Sequence, residues 1–520
     1  MIFTTNWLKI KMNENNKKIN FLLIGFGPHS KRIFHPIFEN ITNDSTLVLK
    51  AAIDLKSKQG RVEKYLDGKV MQSEMYYLNN DEPVQDQLNT STIELLDSIV
   101  DKHSINAIII ATEPLVHRAY GTWALRAGLP VLMDKPISAN MNVSSELSSA
   151  EKIAEDYYFL NDEYEKAKEK DPNIIFSLLT QRRYQTTIEL IRNEISNCFA
   201  KTNCPVTNIQ TFHSDGQWRT PTECVEEIYH GYNQGYGKCS HTGYHFFDIV
   251  PYILSAGLSE SKFYEHIEVF SHAVRPLDVL SQFNLEDYER LFGAEEFSKN
   301  NPHSEAELHE LMQDLGEVDC QSSIAFKNGN NVVTTALLNL THNGFSRRSW
   351  PSIEGIELYK GNGRVSHESH IIQQGPFQTI HLHSYKSDDS NENADSNAEV
   401  VGTKRHIAIF IFRNNKLIGG KPTEVIRLDD IEKLEGESIG LLGKPKSKCF
   451  FEFVEALRGE ITREEMKSDF SQHEHGAVLV SAVYQSMCNQ LTGSSPLIKM
   501  PLEMTGDNTS TFNAQKVRVC

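Results

Sequence analysis

The chain has 520 residues, 39% hydrophobic and 23% charged, with a formal net charge of −17. That length accommodates two or three domains around a large core, and the composition is that of a soluble globular chain. The acidic balance argues against nucleic acid or an anionic membrane as partner, because both require a basic surface; a local basic pocket for phosphates is still compatible with it.

Residues 1–18 read as a loose tail. Their opening MIFTTNWLKIK lacks the apolar stretch and small-residue cleavage site of a signal peptide. The first structured segment, KINFLLIGFGPHSKRIFHPIF, reads as a buried strand (Phe21–Ile24), a glycine turn (Gly25-Phe26-Gly27) and the start of a helix. Such a turn offers free backbone N–H groups and a positive helix end to a pyrophosphate. Ser30 stands where the third glycine of G-x-G-x-x-G would be and is still small enough for close helix–strand packing. A second strand, 47–54, ends at Asp54, the place for an acid that holds the ribose hydroxyls, although a strand-end cap explains it too. In the ribose role Asp54 favours NAD over NADP, whose 2′-phosphate it repels. Lys56, Ser57 and Lys58 follow at once and offer a phosphate partners, so NADP stays possible.

A further strand at 106–111, a helix and a strand at 130–133 lead to Asp134-Lys135-Pro136. This puts a lysine at the carboxyl edge of the sheet, where its ammonium can polarise a carbonyl or stabilise an alkoxide; alone, an ordinary surface lysine is the commoner reading. A charged helix over 138–171, closed by Asp171-Pro172, and a strand at 173–179 complete the alternation, which predicts a doubly wound parallel sheet.

From about 205 the pattern becomes mainly antiparallel, with strands at 206–214, 267–274, 320–328, 331–342, 355–361 and 406–412 and a hairpin turn at NGNN (328–331). Residues 276–317 read as a helical insertion, and 384–399 as an acidic mobile loop. Within GKCSHTGYHFFDIVPYIL, His241, His245 and Asp248 are spaced to share one helix face. A histidine can trade a hydroxyl proton as hydride leaves the carbon. A hydrogen-bonded buried pair and a zinc site compete with that reading. For zinc, no Glu sits in an H-E-x-x-H position and no third ligand is near, so no metal is expected. The eight scattered cysteines, without a C-x-x-C pair, read as reduced thiols of a cytoplasmic protein, and no apolar run reaches the length of a membrane span. Helices at 450–460 and 475–487 precede a polar tail, 501–520.

These motifs together resemble the glucose–fructose oxidoreductase, inositol dehydrogenase and MocA (Gfo/Idh/MocA) family of NAD(P)-dependent oxidoreductases, over about residues 19–490. The resemblance is carried by the Gly25-Phe26-Gly27 turn, ATEPLVH (111–117), Asp134-Lys135-Pro136, QRRY (181–184), HTGYHFFD (241–248) and the FVEALRGE helix with its partner. It implies an N-terminal Rossmann domain (19–180) and an α+β domain (181–500) whose large, open, mainly antiparallel sheet makes a homodimer or homotetramer. It implies hydride transfer between nicotinamide and a carbinol or carbonyl carbon of a sugar-, cyclitol- or related small-molecule substrate. Carried over position by position, Lys135 and His245 are the catalytic lysine and histidine. His241 stands where the family has an aspartate, to orient substrate or extend the proton relay. The cofactor would meet Gly25, Phe26, Gly27, Pro28, His29, Ser30 and Asp54, and, around the nicotinamide, Thr112, Glu113, Pro114, His117, Asp134 and Lys135. The same fold also admits an NAD-dependent glycoside hydrolase or a non-catalytic nucleotide-binding regulator; the presence of both Lys135 and His245 argues against the latter.

Overall fold

A computed structural model describes residues 18–41, 45–69, 73–79, 86–227, 231–349, 363–387, 405–435 and 444–502. Six strands make the first sheet: β1 (Ile19–Ile24), β2 (Leu47–Leu55), β3 (Glu74–Leu78), β4 (Ala107–Ile110), β5 (Val131–Asp134) and β6 (Phe176–Leu179). All pair in parallel, in the order β3-β2-β1-β4-β5-β6. The apolar runs INFLLI and AIII are buried because helices cover both faces, as a parallel sheet requires. The strand order reverses between β1 and β4, opening a crevice at their carboxyl ends, and ligands of doubly wound sheets bind in that crevice. The edge strand β3 has no marked sequence signal, being short and only half buried.

Nine strands make the second sheet: β7 (Asn208–Gln217), β8 (His266–Val274), β9 (Asp319–Asn328), β10 (Asn331–Asn343), β11 (Val365–Gln374), β12 (Gln378–Ser387), β13 (Arg405–Arg413), β14 (Thr423–Arg427) and β15 (Ile498–Pro501). Their order is β14-β13-β12-β11-β7-β10-β9-β8-β15, antiparallel throughout except for β7 beside β10. One face packs on helices Tyr244–Leu254 and Glu474–Thr492, the latter backed by Leu147–Lys170, and merges into the main core. The 276–317 stretch forms four short helices around a small core of Leu280, Leu308 and Met312 that Cys224 and Tyr232 share.

Three sequence expectations need correction. The helix read over 138–171 starts only at Leu147. His241 is not on a helix: it lies in the turn before Tyr244–Leu254, so only His245 and Asp248 share that helix. Residues 384–387 are not loop but the end of β12. Their polarity misled because Ser384 and Lys386 face a polar cavity rather than an apolar core. The rest of that predicted loop (388–399), the predicted strand 355–361, the N-terminal tail to residue 17 and the polar tail from 503 lie outside the described residues. Among the described residues no helix is long and apolar enough to cross a membrane.

The helix Pro445–Arg458 packs back on the first sheet, although it follows the second in the chain. Phe450 lies 5.6 Å from Phe21 and 5.5 Å from Phe38, ring to ring, and is fully buried. Aromatic pairs at this spacing add about 0.5–1.5 kcal/mol beyond their burial.

Candidate active site

The glycine turn between β1 and the short helix Pro28–Arg32 is built by two different constraints. Gly25 has φ +94°, and a Cβ there would lie 2.5 Å from the Ala111 carbonyl oxygen, so backbone conformation and close approach both demand glycine. At Gly27 a Cβ would meet nothing within 4 Å: that side of the turn opens on the cavity. Ser30 is buried behind the turn and its hydroxyl donates to the Gly25 carbonyl at 2.6 Å, bracing the loop from within. Asp54 ends β2 beneath the turn. Its carboxylate accepts from the backbone N–H of Phe26 (3.1 Å) and of Leu55 (2.7 Å) and still lines the cavity. Asp54 thus caps the strand end and also lines the cavity, the place expected of a ribose-holding acid. An open backbone turn with an acid at its side fits a dinucleotide's pyrophosphate and ribose.

The cavity has a volume of about 1260 Å³ and runs from this turn, past the ends of β4 and β5, to the second sheet. Of the expected cofactor residues, Gly25 to His29, Asp54, Thr112 to Pro114, Asp134 and Lys135 line it; Ser30 and His117 do not. His117 is fully buried, with Nδ1 donating to the Pro136 carbonyl (2.8 Å) and Nε2 3.2 Å from the Thr112 carbonyl. It positions the loop backbone on either side rather than reaching a ligand itself. Burial pushes the Glu113 carboxyl above its ordinary range, against the pull of Lys58 and Lys135.

Asp134 organises the end of β5. One oxygen accepts from the Lys135 backbone N–H (2.9 Å), the other from His29 Nδ1 (2.6 Å). Burial opposes its ionisation, but His29, Lys446 and Lys135 outweigh it and hold the carboxyl well below the usual range. On the far side of the same histidine, Lys446 donates to His29 Nε2 at 2.8 Å. Lys135 points across the cleft, its Nζ donating to the His241 carbonyl at 2.8 Å. Burial lowers its pKa, while Asp134, Asp215 and Glu113 favour the charged form.

His245 lines the cavity at 6% exposure. Its Nε2 lies 3.4 Å from the Gln181 amide, and its Nδ1 has no hydrogen-bond partner among the described residues. Burial, then Lys135 and Arg182, push its pKa well below the ordinary histidine value, so the ring is neutral. His241 lines the same space with its ring 5.2 Å from that of Tyr236. Asp248 turns the other way. It makes a two-pronged pair with Arg183 (3.0 and 2.6 Å) and lies 2.8 Å from His473, and it does not line the cavity.

The cavity's far wall adds residues to which the sequence motifs assign no role. From β7, Asp215 accepts from Lys238 Nζ (2.6 Å), Thr242 Oγ1 (2.6 Å) and Arg364 (2.7 Å). Lys238, fully buried, also donates to Thr242 Oγ1 (2.9 Å) and His213 Nδ1 (2.8 Å). Arg182 pairs with Glu368 of β11 above the Phe246 ring, 4.3 Å from its centre. A signal existed: His213 and Asp215 are alternate residues of one strand, polar where an inward-facing strand is ordinarily apolar.

Residues 19–161 match the family described as oxidoreductase family, NAD-binding Rossmann fold (Gfo/Idh/MocA). The nucleotide-binding domain belongs to the Gfo/Idh/MocA oxidoreductases. That segment is accordingly the nucleotide-binding domain of an NAD(P)-dependent oxidoreductase, and the structure brings Lys135 and His245 to one cavity with its glycine turn. No curated protein sequence matches it. Among solved structures, an oxidoreductase from Agrobacterium radiobacter in complex with NAD+, L-tartaric acid and magnesium superposes with a TM-score of 0.52 at 13% identity, covering 93% of this chain and 98% of that one. The WlbA dehydrogenase from Bordetella pertussis, in complex with NADH and UDP-GlcNAcA, gives 0.52 at 12% over 94% and 99%. The aldose-aldose oxidoreductase from Caulobacter crescentus, complexed with glycerol, gives 0.51 at 12% over 94% and 100%. At these identities the likeness is one of fold, and it includes the second sheet that the family match leaves out.

Proposed function

We propose that this oxidoreductase interconverts a carbinol and a carbonyl on a sugar-, cyclitol- or related hydroxylated metabolite, with NAD as the preferred redox partner. The observation that carries the reading is that the glycine turn, Lys135 and His245 line one cavity. Bound nicotinamide supplies the hydride acceptor or donor. The Lys135 ammonium, stiffened by the Asp134 contacts, stabilises the oxyanion that develops on the reacting oxygen. Neutral His245 accepts the hydroxyl proton or returns it, and His241 orients the substrate. Solved proteins of this fold hold tartaric acid, a nucleotide-linked sugar acid and glycerol, which supports a polyhydroxyl substrate class.

A panel of polyols, sugars and nucleotide sugars, followed by nicotinamide absorbance, tests the reading; absence of turnover on every member with cofactor bound would count against it. The pH profile carries a specific expectation. His245 is neutral through neutrality, so it contributes no limb near the ordinary histidine pKa. Lys135 must stay protonated to stabilise an oxyanion, so the rate should fall as pH rises through its lowered pKa, and Lys135→Arg should move that alkaline limb upward. A limb near the unperturbed histidine pKa that vanishes in His245→Ala would contradict this.

Cofactor choice has its own test. Lys58 and Arg61 line the cavity near Asp54, whereas Lys56 sits over the Tyr77 ring, 5.7 Å from its centre. The unmodified protein should bind NAD more tightly than NADP, and Asp54→Ala should narrow the ratio of the two Kd values. Tighter NADP binding from the start would show that Lys58 and Arg61 dominate.

Seven free cysteines among the described residues suit a reducing, cytoplasmic setting. Leu337, Phe412 and Val425, exposed on the open side of the second sheet, support a homodimer or homotetramer through that face.

A further inference from the structure

Lys446 is more than 400 residues from the glycine turn in sequence, yet its Nζ lies 2.8 Å from Nε2 of His29, the second residue after Gly27. It lines the same cavity as Gly25, Gly27 and Asp134. Its placement does not depend on a flexible loop. Lys446 sits in the first turn of the 14-residue helix Pro445–Arg458, which Phe450 clamps to Phe21 and Phe38 and which Cys449 ties to the Leu178 carbonyl at 3.6 Å.

Asp134, across the His29 ring, offsets part of the Lys446 charge, but the helix end itself opposes a cation. The amino end of a helix carries partial positive charge and favours acids, yet this first turn has no acidic residue, and Lys444, Lys446 and Lys448 cluster there. Beside it, the glycine turn opens on the same space at Gly27, where a Cβ would meet nothing within 4 Å. A lysine at a helix end that faces the open side of a glycine turn, at the point where a dinucleotide places its two phosphates, suits an anion between them.

We propose that Lys446 is a ligand of the cofactor's pyrophosphate, contributed by the C-terminal helix. The inference rests on the dinucleotide reading of the cavity. The contact with His29 keeps the ammonium beside the turn: Lys446 donates to Nε2, and Nδ1–H of the same ring is held by Asp134. The turn and the lysine hold the phosphates together, so the nucleotide site is completed by a helix that follows the second sheet in the chain.

The test is binding, not turnover. The full chain is titrated with NAD, with ADP-ribose and with adenosine, and the same is done for Lys446→Met and Lys446→Arg. Lys446→Met should weaken NAD and ADP-ribose about tenfold to a hundredfold, the scale of one charge-assisted hydrogen bond to phosphate, and leave adenosine unchanged. Lys446→Arg should restore most of the loss. Added KCl should weaken ADP-ribose binding less steeply in Lys446→Met than in the unmodified protein. Unchanged NAD affinity in Lys446→Met, or an equal loss for adenosine, would overturn the proposal and leave Lys446 as a strut between His29 and its helix. Should Lys446→Met not fold, failure of Lys446→Gln to weaken ADP-ribose would overturn it equally. Unmodified protein that binds neither NAD nor ADP-ribose would sink the dinucleotide reading itself, a separate result from a variant that binds like the original.

Discussion

Lys135→Met should leave NAD binding intact and slow the hydride step by about a hundredfold or more, the scale for losing an electrostatic or acid/base group. Methionine keeps the length of the side chain and removes its charge. The Lys135 ammonium lies at the end of β5, with its backbone N–H on Asp134 and its Nζ on the His241 carbonyl across the cleft. None of the contacts that build the glycine turn passes through it, so cofactor titration should be nearly unchanged. The step is read in a single turnover at saturating cofactor, where product release does not mask it. A variant that retains the original single-turnover rate would remove Lys135 from the chemistry whatever the fold.

The second large effect is on stability, at a residue that the spacing alone placed on the catalytic face. Asp248→Ala should destabilise the protein by about 3–5 kcal/mol, because it leaves the Arg183 guanidinium buried without its carboxylate. The side chains are 3% and 1% exposed, so solvent cannot replace the lost partner. Joint replacement by Arg183→Met and Asp248→Leu should recover much of the loss, since neither charge then remains buried. Thermal or urea unfolding measures both. Burial works against ionisation of Asp248, but Arg183 and His473 hold its pKa well below the usual carboxylate range. His473 itself is pushed down to about 4 by burial and Arg183, so it is neutral where the pair matters. A depressed carboxyl pKa gives stability that is present above the unfolded value and lost as pH falls toward the folded one. Acid unfolding should therefore lose its steepness in the double variant. A mild effect from Asp248→Ala would mean that the pair contributes little.

What the sequence makes legible follows from how local each signal is. The turn at Gly25, Asp54 at the end of β2 and Lys135 at the end of β5 are each set by a strand and the few residues after it, and all of them line the cavity. His245 carries a motif that spacing can expose. The strands β11 and β12 are hidden for a physical reason: in VSHESHIIQQ and QTIHLHSYKS the inward face is apolar only in part (Ile372, Ile380, Leu382) and polar where it borders the cavity (Ser366, Glu368, Ser384, Lys386), with His370 buried between. The apolar alternation that marks a half-buried strand is therefore only two residues long, at Ile380 and Leu382. Asp215 and Lys238 find each other only through tertiary pairing, 23 residues apart. Lys446 has no local signal, since it reaches the glycine turn only once the C-terminal helix folds back on β1.

Lys238 decides the state of a neighbour. An ammonium has three hydrogens and no lone pair, and here its three contacts are the Asp215 carboxylate, the Thr242 hydroxyl and His213 Nδ1. The ring nitrogen facing it can therefore only accept. Burial and the Lys238 charge keep His213 from taking a second proton, so its single N–H is on Nε2. That makes His213, on the wall opposite Lys135, a tautomer chosen by the protein rather than by pH: a hydrogen-bond donor to any oxygen within its reach, and unable to serve there as a base.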